Sequence, residues 1–107
     1  MLEPASFLVF RELIGTALHV IKRTPEAIAE EYGLYVERSF ESGLGYYTFV
    51  GFQKGEYYFG LRRFVESPVK TNSMVSVMGA PDGMKKGLIA EALNMDVSEV
   101  IELKMEH

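Results

Sequence analysis

The first helical pattern occupies the N-terminal part of the chain. Apolar residues recur there at three- and four-residue steps, which is the spacing of one face of a helix. They are Phe7, Phe10, Ile14, Ala17, Leu18 and Ile21. The run ALHVIK at 17–22 is also compatible with a short strand, so this segment has two interpretations, of which the helix is preferred.

A second helix is predicted from local start and stop signals. Thr24 supplies a hydroxyl cap, Pro25 suits the first helical position, and the Glu26 carboxylate lies near the positive helix end. The helix runs through AIAEEY and ends at Gly33, which is suited to a left-handed cap.

Strand patterns follow, beginning with LYVERSF at 34–40. GYYTFVGF at 45–52 and EYYFGLRRFV at 56–65 flank Lys54-Gly55, a short connection typical of a hairpin. MVSVM at 74–78, a helix over 84–95 and a strand over 100–105 complete the chain. The pattern predicts a single α+β domain over 1–107, with N-terminal helices packed on a mainly antiparallel meander, then a helix and a closing C-terminal strand.

The predicted hairpin is apolar on both faces. With the turn at Lys54-Gly55, Phe52 would pair with Tyr57, Val50 with Phe59 and Thr48 with Leu61, and this side would be the core. The other side is named here the aromatic face, and it consists of Tyr47, Phe49, Tyr58, Arg62 and Phe64. Another element such as the first helix could cover it, or it could form a contact with a second copy or another protein.

A resemblance supplies a third interpretation of this face. YTFVGF is similar to the end of the first ribonucleoprotein motif of RNA-recognition-motif domains, which implies that Tyr47 and Phe49 stack bases. Gly45 and Tyr46 depart from that motif, and the next segment predicts a strand where such a domain has a helix. Single-stranded RNA binding is therefore an alternative rather than the leading hypothesis.

The turn Gly79-Ala80-Pro81-Asp82-Gly83 lies between a predicted strand and a predicted helix. Backbone N–H groups at a helix start can bind an anion, and Lys85 and Lys86 follow closely, so a nucleotide or phosphorylated metabolite could bind at Gly79, Gly83, Lys85 and Lys86. The simpler interpretation is an ordinary turn in which Asp82 caps the helix.

Composition limits the functional classes. The net charge of −4 argues against a generally phosphate-seeking surface. The absence of cysteine excludes disulfides and thiolate chemistry and fits a cytoplasmic protein. Arg11 and Glu12 interrupt the N-terminal apolar run, so neither a signal peptide nor a membrane span is expected.

Candidate catalytic groups are few. His19 falls on the polar side of the predicted first helix, and the pattern of Glu26, Glu30 and Glu31 is that of a solvated helix face. Glu37 and Glu41 share one face of a predicted strand, which makes a carboxylate pair conceivable. No catalytic residue, metal site or cofactor is predicted.

The leading hypothesis is a non-enzymatic, cytoplasmic protein-interaction or regulatory module that self-associates through the aromatic face. The alternatives are small-ligand binding at the Gly79–Gly83 turn and single-stranded RNA binding on the aromatic face.

Overall fold

The computed structural model describes residues 2–5, 19–66 and 71–102, without the side chain of Asp82. Within these residues the strands are β1 (Glu3–Pro4), β2 (His19–Ile21), β3 (Glu37–Glu41), β4 (Gly45–Lys54), β5 (Tyr57–Phe64), β6 (Ser73–Met78) and β7 (Val100–Glu102). The helices are α1 (Pro25–Tyr32) and α2 (Asp82–Ala92), and a 3₁₀ turn spans Val97–Glu99. The predicted mixture of helices and antiparallel sheet is confirmed.

The described strands form one sheet in the order β1-β4-β5-β6-β2-β7, and β3 pairs with the same edge of β4 as β1. Every pairing is antiparallel. Both helices pack on one face of the sheet, because their apolar side chains belong to the same buried cluster as that face. The helix contributions include Ile28, Ala29, Ile89 and Ala92.

Helix α1 forms for the local reasons that its sequence indicates. The Thr24 hydroxyl accepts a hydrogen bond from the Ala27 N–H at 3.1 Å, and Pro25 occupies the first helical position. Gly33 ends the helix with a φ of 67°, in the left-handed region that favours glycine.

A hydrogen bond ties the two helices together. The Tyr32 hydroxyl donates to the backbone carbonyl of Leu93 at 2.7 Å. Burial raises the pKa of Tyr32, with a further contribution from the Glu31 carboxylate, so the hydroxyl keeps its proton and remains a donor.

The N-terminal prediction is wrong at its end. Residues 19–21, assigned to the first helix, form strand β2, which was the alternative interpretation of ALHVIK. The first described helix begins at Pro25, and the rest of the predicted first helix lies outside the described residues. Short apolar runs fit both helices and strands, and here pairing with β6 and β7 decides for the strand.

The central hairpin is present, but its register differs from the prediction. Its two-residue turn is Gly55-Glu56, with a φ of 63° at Gly55, so Phe52 pairs with Phe59 and Val50 with Leu61. Each partner is therefore displaced by two residues, which leaves every side chain on its predicted face. The Phe52 and Phe59 rings stack on the core side with centroids 5.0 Å apart.

Two further boundaries shift. Strand β3 begins at Glu37 rather than Leu34, and α2 begins at Asp82 rather than at residue 84. Pro81 occupies the N-cap position in an extended conformation and makes no side-chain capping bond. Asp82 is therefore the first residue of the helix rather than the N-cap that was expected.

Candidate interaction surfaces

The five side chains of the aromatic face lie on the side of the sheet that the sequence pattern predicts, although their cross-strand partners differ from the predicted ones. In the β4–β5 ladder, Tyr47 lies opposite Phe64 and Phe49 lies opposite Arg62, with Tyr58 further along the same side of β5. The Tyr47 and Phe64 rings are tilted with centroids 5.3 Å apart. The five predicted side chains therefore share one face of the sheet, opposite to the face that carries the helices.

Arg62 is held on this face by aromatic rings and by one carboxylate. Its guanidinium carbon lies 5.7 Å from the Tyr47 ring centroid and 5.4 Å from that of Phe64, within cation–π range. Its Nη1 lies 3.6 Å from the Glu41 Oε2, and the two side chains are 12% and 27% exposed. Glu41, considered above as one of a carboxylate pair, is thus the counter-charge of Arg62.

The centre of the aromatic face is buried within the chain. Tyr47 is 3% exposed and Phe49 is 5% exposed, whereas Tyr58, Arg62 and Phe64 are half-buried. Both side chains therefore face other parts of the chain rather than solvent in this conformation. The first helix, which is one of the covers that the sequence leaves open for this face, lies outside the described residues except for its last positions.

A different set of apolar side chains is exposed on the neighbouring β3–β4 hairpin. Phe40 and Tyr46 are each 59% exposed, and Leu44, in the turn between them, is 58% exposed. Phe40 and Tyr46 are cross-strand partners whose rings meet edge to face with centroids 5.0 Å apart. This set, Phe40, Leu44 and Tyr46, is called here the hairpin cluster.

The hairpin cluster is exposed because it lies beyond the helical layer. Tyr46 points to the same side of β4 as Thr48 and Val50, which are 9% and 0% exposed. Helix α1 packs against β4 and β5, and its cover ends between Thr48 and Tyr46. This cluster is not among the sites predicted from the sequence, although alternation along β3 and β4 places Phe40 and Tyr46 on the apolar side of their strands.

The Gly79–Gly83 turn packs against the tip of the β4–β5 hairpin. Gly79 has a φ of 93°, and a Cβ there would lie 3.8 Å from Tyr57 Cδ1, an ordinary contact distance. Lys85 falls in the first turn of α2 and Lys86 follows it, and both are half-buried. Gly83, Lys85 and Lys86 thus belong to the beginning of α2, and Gly79 lies just before it.

A groove of about 330 Å³ lies between the β4–β5 hairpin tip and the C-terminal half of α2, and no described residue of the Gly79–Gly83 turn lines it. Tyr57 and Leu88 supply apolar walls, and Lys54, Glu56 and Glu91 supply charge. Lys54 Nζ donates to the backbone carbonyl of Glu91 at 3.5 Å. With two carboxylates and one ammonium group, the groove offers no preference for a phosphate.

Glu26 is not the fully solvated carboxylate that its helical pattern predicted. Its Oε1 lies 3.5 Å from Arg63 Nη2. Partial burial raises its pKa, but the Thr48 hydroxyl, a backbone N–H and the Arg63 guanidinium favour the charged form, and the net pKa lies below its ordinary value. The carboxylate therefore helps to dock α1 on the sheet.

The candidate histidine also changes its environment. His19 is 3% exposed on the core side of β2, rather than on the polar side of a helix. Among the described residues, no group of three or more His, Asp or Glu side chains is arranged to hold a metal ion. Neither α1 nor α2, the two α-helices of the described residues, meets the length and hydropathy that a membrane-spanning helix requires.

Comparison of the chain with protein-family models, with curated proteins and with solved structures found no match.

Proposed function

We propose that this protein is a non-enzymatic protein-contact module that self-associates through the hairpin cluster. The observation that carries the proposal is the exposure of Phe40, Leu44 and Tyr46, each more than half open to solvent on one hairpin. The cysteine-free composition supports the expectation of a reducing, cytoplasmic setting.

Burial of the exposed side chains of the hairpin cluster would favour association. Full burial of a Phe or Leu side chain contributes about 1.5–3 kcal/mol, and a contact that covers the cluster recovers part of this. Clustered apolar surface on a small domain is typical of interaction sites, and Tyr and Phe are enriched at the centres of interfaces. Phe40 and Tyr46 already pack on each other, so less side-chain freedom is lost on binding.

A second copy of the chain is the partner that this cluster fits. An apolar patch is self-complementary, because it can meet its own copy around a two-fold axis without needing opposite charges. The net charge of −4 opposes association weakly, since a Debye length of about 8 Å screens distant charges at physiological ionic strength. The small cluster indicates a weak contact, as expected for interfaces that bury less than about 1,200 Å².

Solution mass across a concentration series tests the proposal. Wild-type protein is expected to move from monomer toward dimer in sedimentation equilibrium, whereas Phe40→Ser combined with Tyr46→Ser should remain monomeric. Val97→Ser is the matched control, because Val97 is 48% exposed but lies on the 3₁₀ turn directly before β7, at the opposite end of the sheet from β3.

Two results would overturn the proposal. One is a wild-type protein that stays monomeric up to about 1 mM, which corresponds to an association free energy weaker than about −4 kcal/mol. The other is a dimer that the double variant leaves intact while both proteins remain folded by circular dichroism.

A further inference from the structure

Strand β3 is at the edge of the described sheet. Its ladder pairs Glu37 with Phe49 and Glu41 with Gly45 on β4, and no described strand lies on its outer side. The outer edge of such a strand is a template for pairing with another strand. Phe40 is the one apolar residue of β3, and it is exposed.

We propose that two copies of the chain join their β3 strands edge to edge, antiparallel, with Phe40 on the two-fold axis. This inference rests on the proposed self-association and adds its geometry. The two sheets then become one continuous sheet, with the helices of both copies on the same side.

Strand geometry limits the possible registers. Side chains directly opposite each other in an antiparallel pair lie on the same side of the sheet. A two-fold axis perpendicular to the sheet leaves the helical face of both copies on the same side. The axis must therefore lie between the two copies of one residue. An axis between neighbouring positions would set residue i opposite residue i+1, whose side chains point to different faces. A one-residue slip would place core-side residues opposite residues of the other face. Five centres remain, one at each residue of β3.

Charge then selects among these five centres. If the axis lies at Glu37, at Arg38 or at Glu41, that residue faces the same residue of the second copy, so that like charges are directly opposite. An axis at Ser39 would place Glu37 opposite Glu41 of the second copy, twice. Like charges facing each other across a pair of strands are destabilising.

The remaining centre is at Phe40. It pairs Phe40 with Phe40 of the second copy, and it pairs Ser39 with Glu41, so no like charges face each other. Aromatic cross-strand pairs are among the stabilising ones. Each Phe40 also contacts its own Tyr46, so the four rings form one continuous cluster across the axis.

Single cysteines provide a direct test, because the natural chain has none. Opposite residues of an antiparallel pair have Cα atoms about 4.5–5.5 Å apart, within the range that a disulfide spans. Diagonal neighbours are about 7–8 Å apart, which is too far. Ser39→Cys, Phe40→Cys and Glu41→Cys proteins would each be oxidised at a concentration at which the wild type is dimeric, and the cross-linked fraction measured by denaturing electrophoresis.

The Phe40-centred register predicts that Phe40→Cys cross-links with itself, while Ser39→Cys and Glu41→Cys alone do not. An equimolar mixture of Ser39→Cys and Glu41→Cys should cross-link, and this mixture retains Phe40 in both copies. Self-cross-linking of Ser39→Cys would overturn the register. The register would also be overturned if neither the single variants nor the mixture formed cross-links. In either case the mass measurement would still decide whether the protein self-associates. A monomeric wild type would instead refute the proposed function.

Discussion

Tyr46 and Tyr47 are neighbours in β4, but their environments are opposite. Tyr46 is 59% exposed and Tyr47 is 3% exposed. The same contrast separates the hairpin cluster from the centre of the aromatic face, although both are built from Phe and Tyr side chains on paired strands. Aromatic content alone therefore does not show which rings are exposed. The exposure of a ring depends on the side of the strand to which it points and on how far the covering layer extends.

This contrast predicts different roles for the two regions. We expect Tyr47 and Phe49 to contribute mainly to the stability of the fold, whereas Phe40 and Tyr46 are exposed to solvent and belong to the contact that we propose. Substitutions in matched pairs of the same residue type, one more buried and one more exposed, test whether the two environments differ in this way.

The largest effect is expected for the phenylalanine pair. Phe49→Ala removes a side chain that is 5% exposed and should lower the free energy of unfolding by about 3–5 kcal/mol. Phe40→Ala removes one that is 59% exposed and should change monomer stability by about 0.5 kcal/mol or less. Urea unfolding at low protein concentration measures both. Equal losses would show that the two regions do not differ in the way described.

The arginine pair should give the next largest difference. Arg62→Met leaves Glu41 without its counter-charge and removes two cation–π contacts, so a loss of about 1–3 kcal/mol is expected. Arg38→Met, at an exposed position of β3, should cost about 0.5 kcal/mol or less. Thermal unfolding of the two variants beside the wild type makes the comparison, and an Arg62→Met protein of wild-type stability would contradict it.

The tyrosine pair tests the helical layer. Tyr32→Phe deletes the hydroxyl that donates to the Leu93 carbonyl and should cost about 1 kcal/mol. Tyr35→Phe is the control, since Tyr35 is 75% exposed, and it should have little effect. If the two variants unfold at the same urea concentration, the Tyr32 hydrogen bond does not hold the helices together.

The smallest effect concerns pH. The folded-state pKa of Glu26 lies below its ordinary value of 4.5. The ionised Glu26 carboxylate therefore stabilises the folded state fully above that pH, and this stabilisation is lost as the pH falls through the lowered pKa. Glu26→Gln should therefore lower stability at neutral pH by less than about 1 kcal/mol, because the carboxylate is partly exposed, and should flatten the acid side of the stability curve.

A double-variant cycle controls this pH experiment. In an Arg63→Met background, Glu26→Gln should cost less than it does in the wild type, because one of its stabilising partners is already absent. An identical cost in both backgrounds would exclude Arg63 as a contributor.

The comparison also explains what could be predicted from the sequence. Helix α1 was predicted because Thr24, Pro25 and Gly33 act locally. The two faces of the hairpin were predicted even though the turn was placed one residue too early, because such an error moves each partner by two positions and preserves the face.

The remaining features depend on tertiary contacts. A run such as HVI forms a strand here because β6 and β7 pair with it, and no local signal reveals those partners. Likewise, alternation shows that Tyr46 and Thr48 share a face, but only the packed position of α1 shows that one is covered and the other is not. The exposed hairpin cluster was therefore beyond sequence reasoning, as was the pairing of Glu41 with Arg62.

The central claim is that the hairpin cluster, rather than the centre of the aromatic face, is the surface that meets a second copy. Hydroxyl-radical footprinting at a low and a high protein concentration, read by mass spectrometry, tests it at residue resolution. Phe40, Leu44 and Tyr46 should be modified readily in dilute protein and become protected in concentrated protein, while Tyr47 and Phe49 stay protected in both. Unchanged modification of the hairpin cluster, or protection of Tyr47 that appears only at high concentration, would contradict the account.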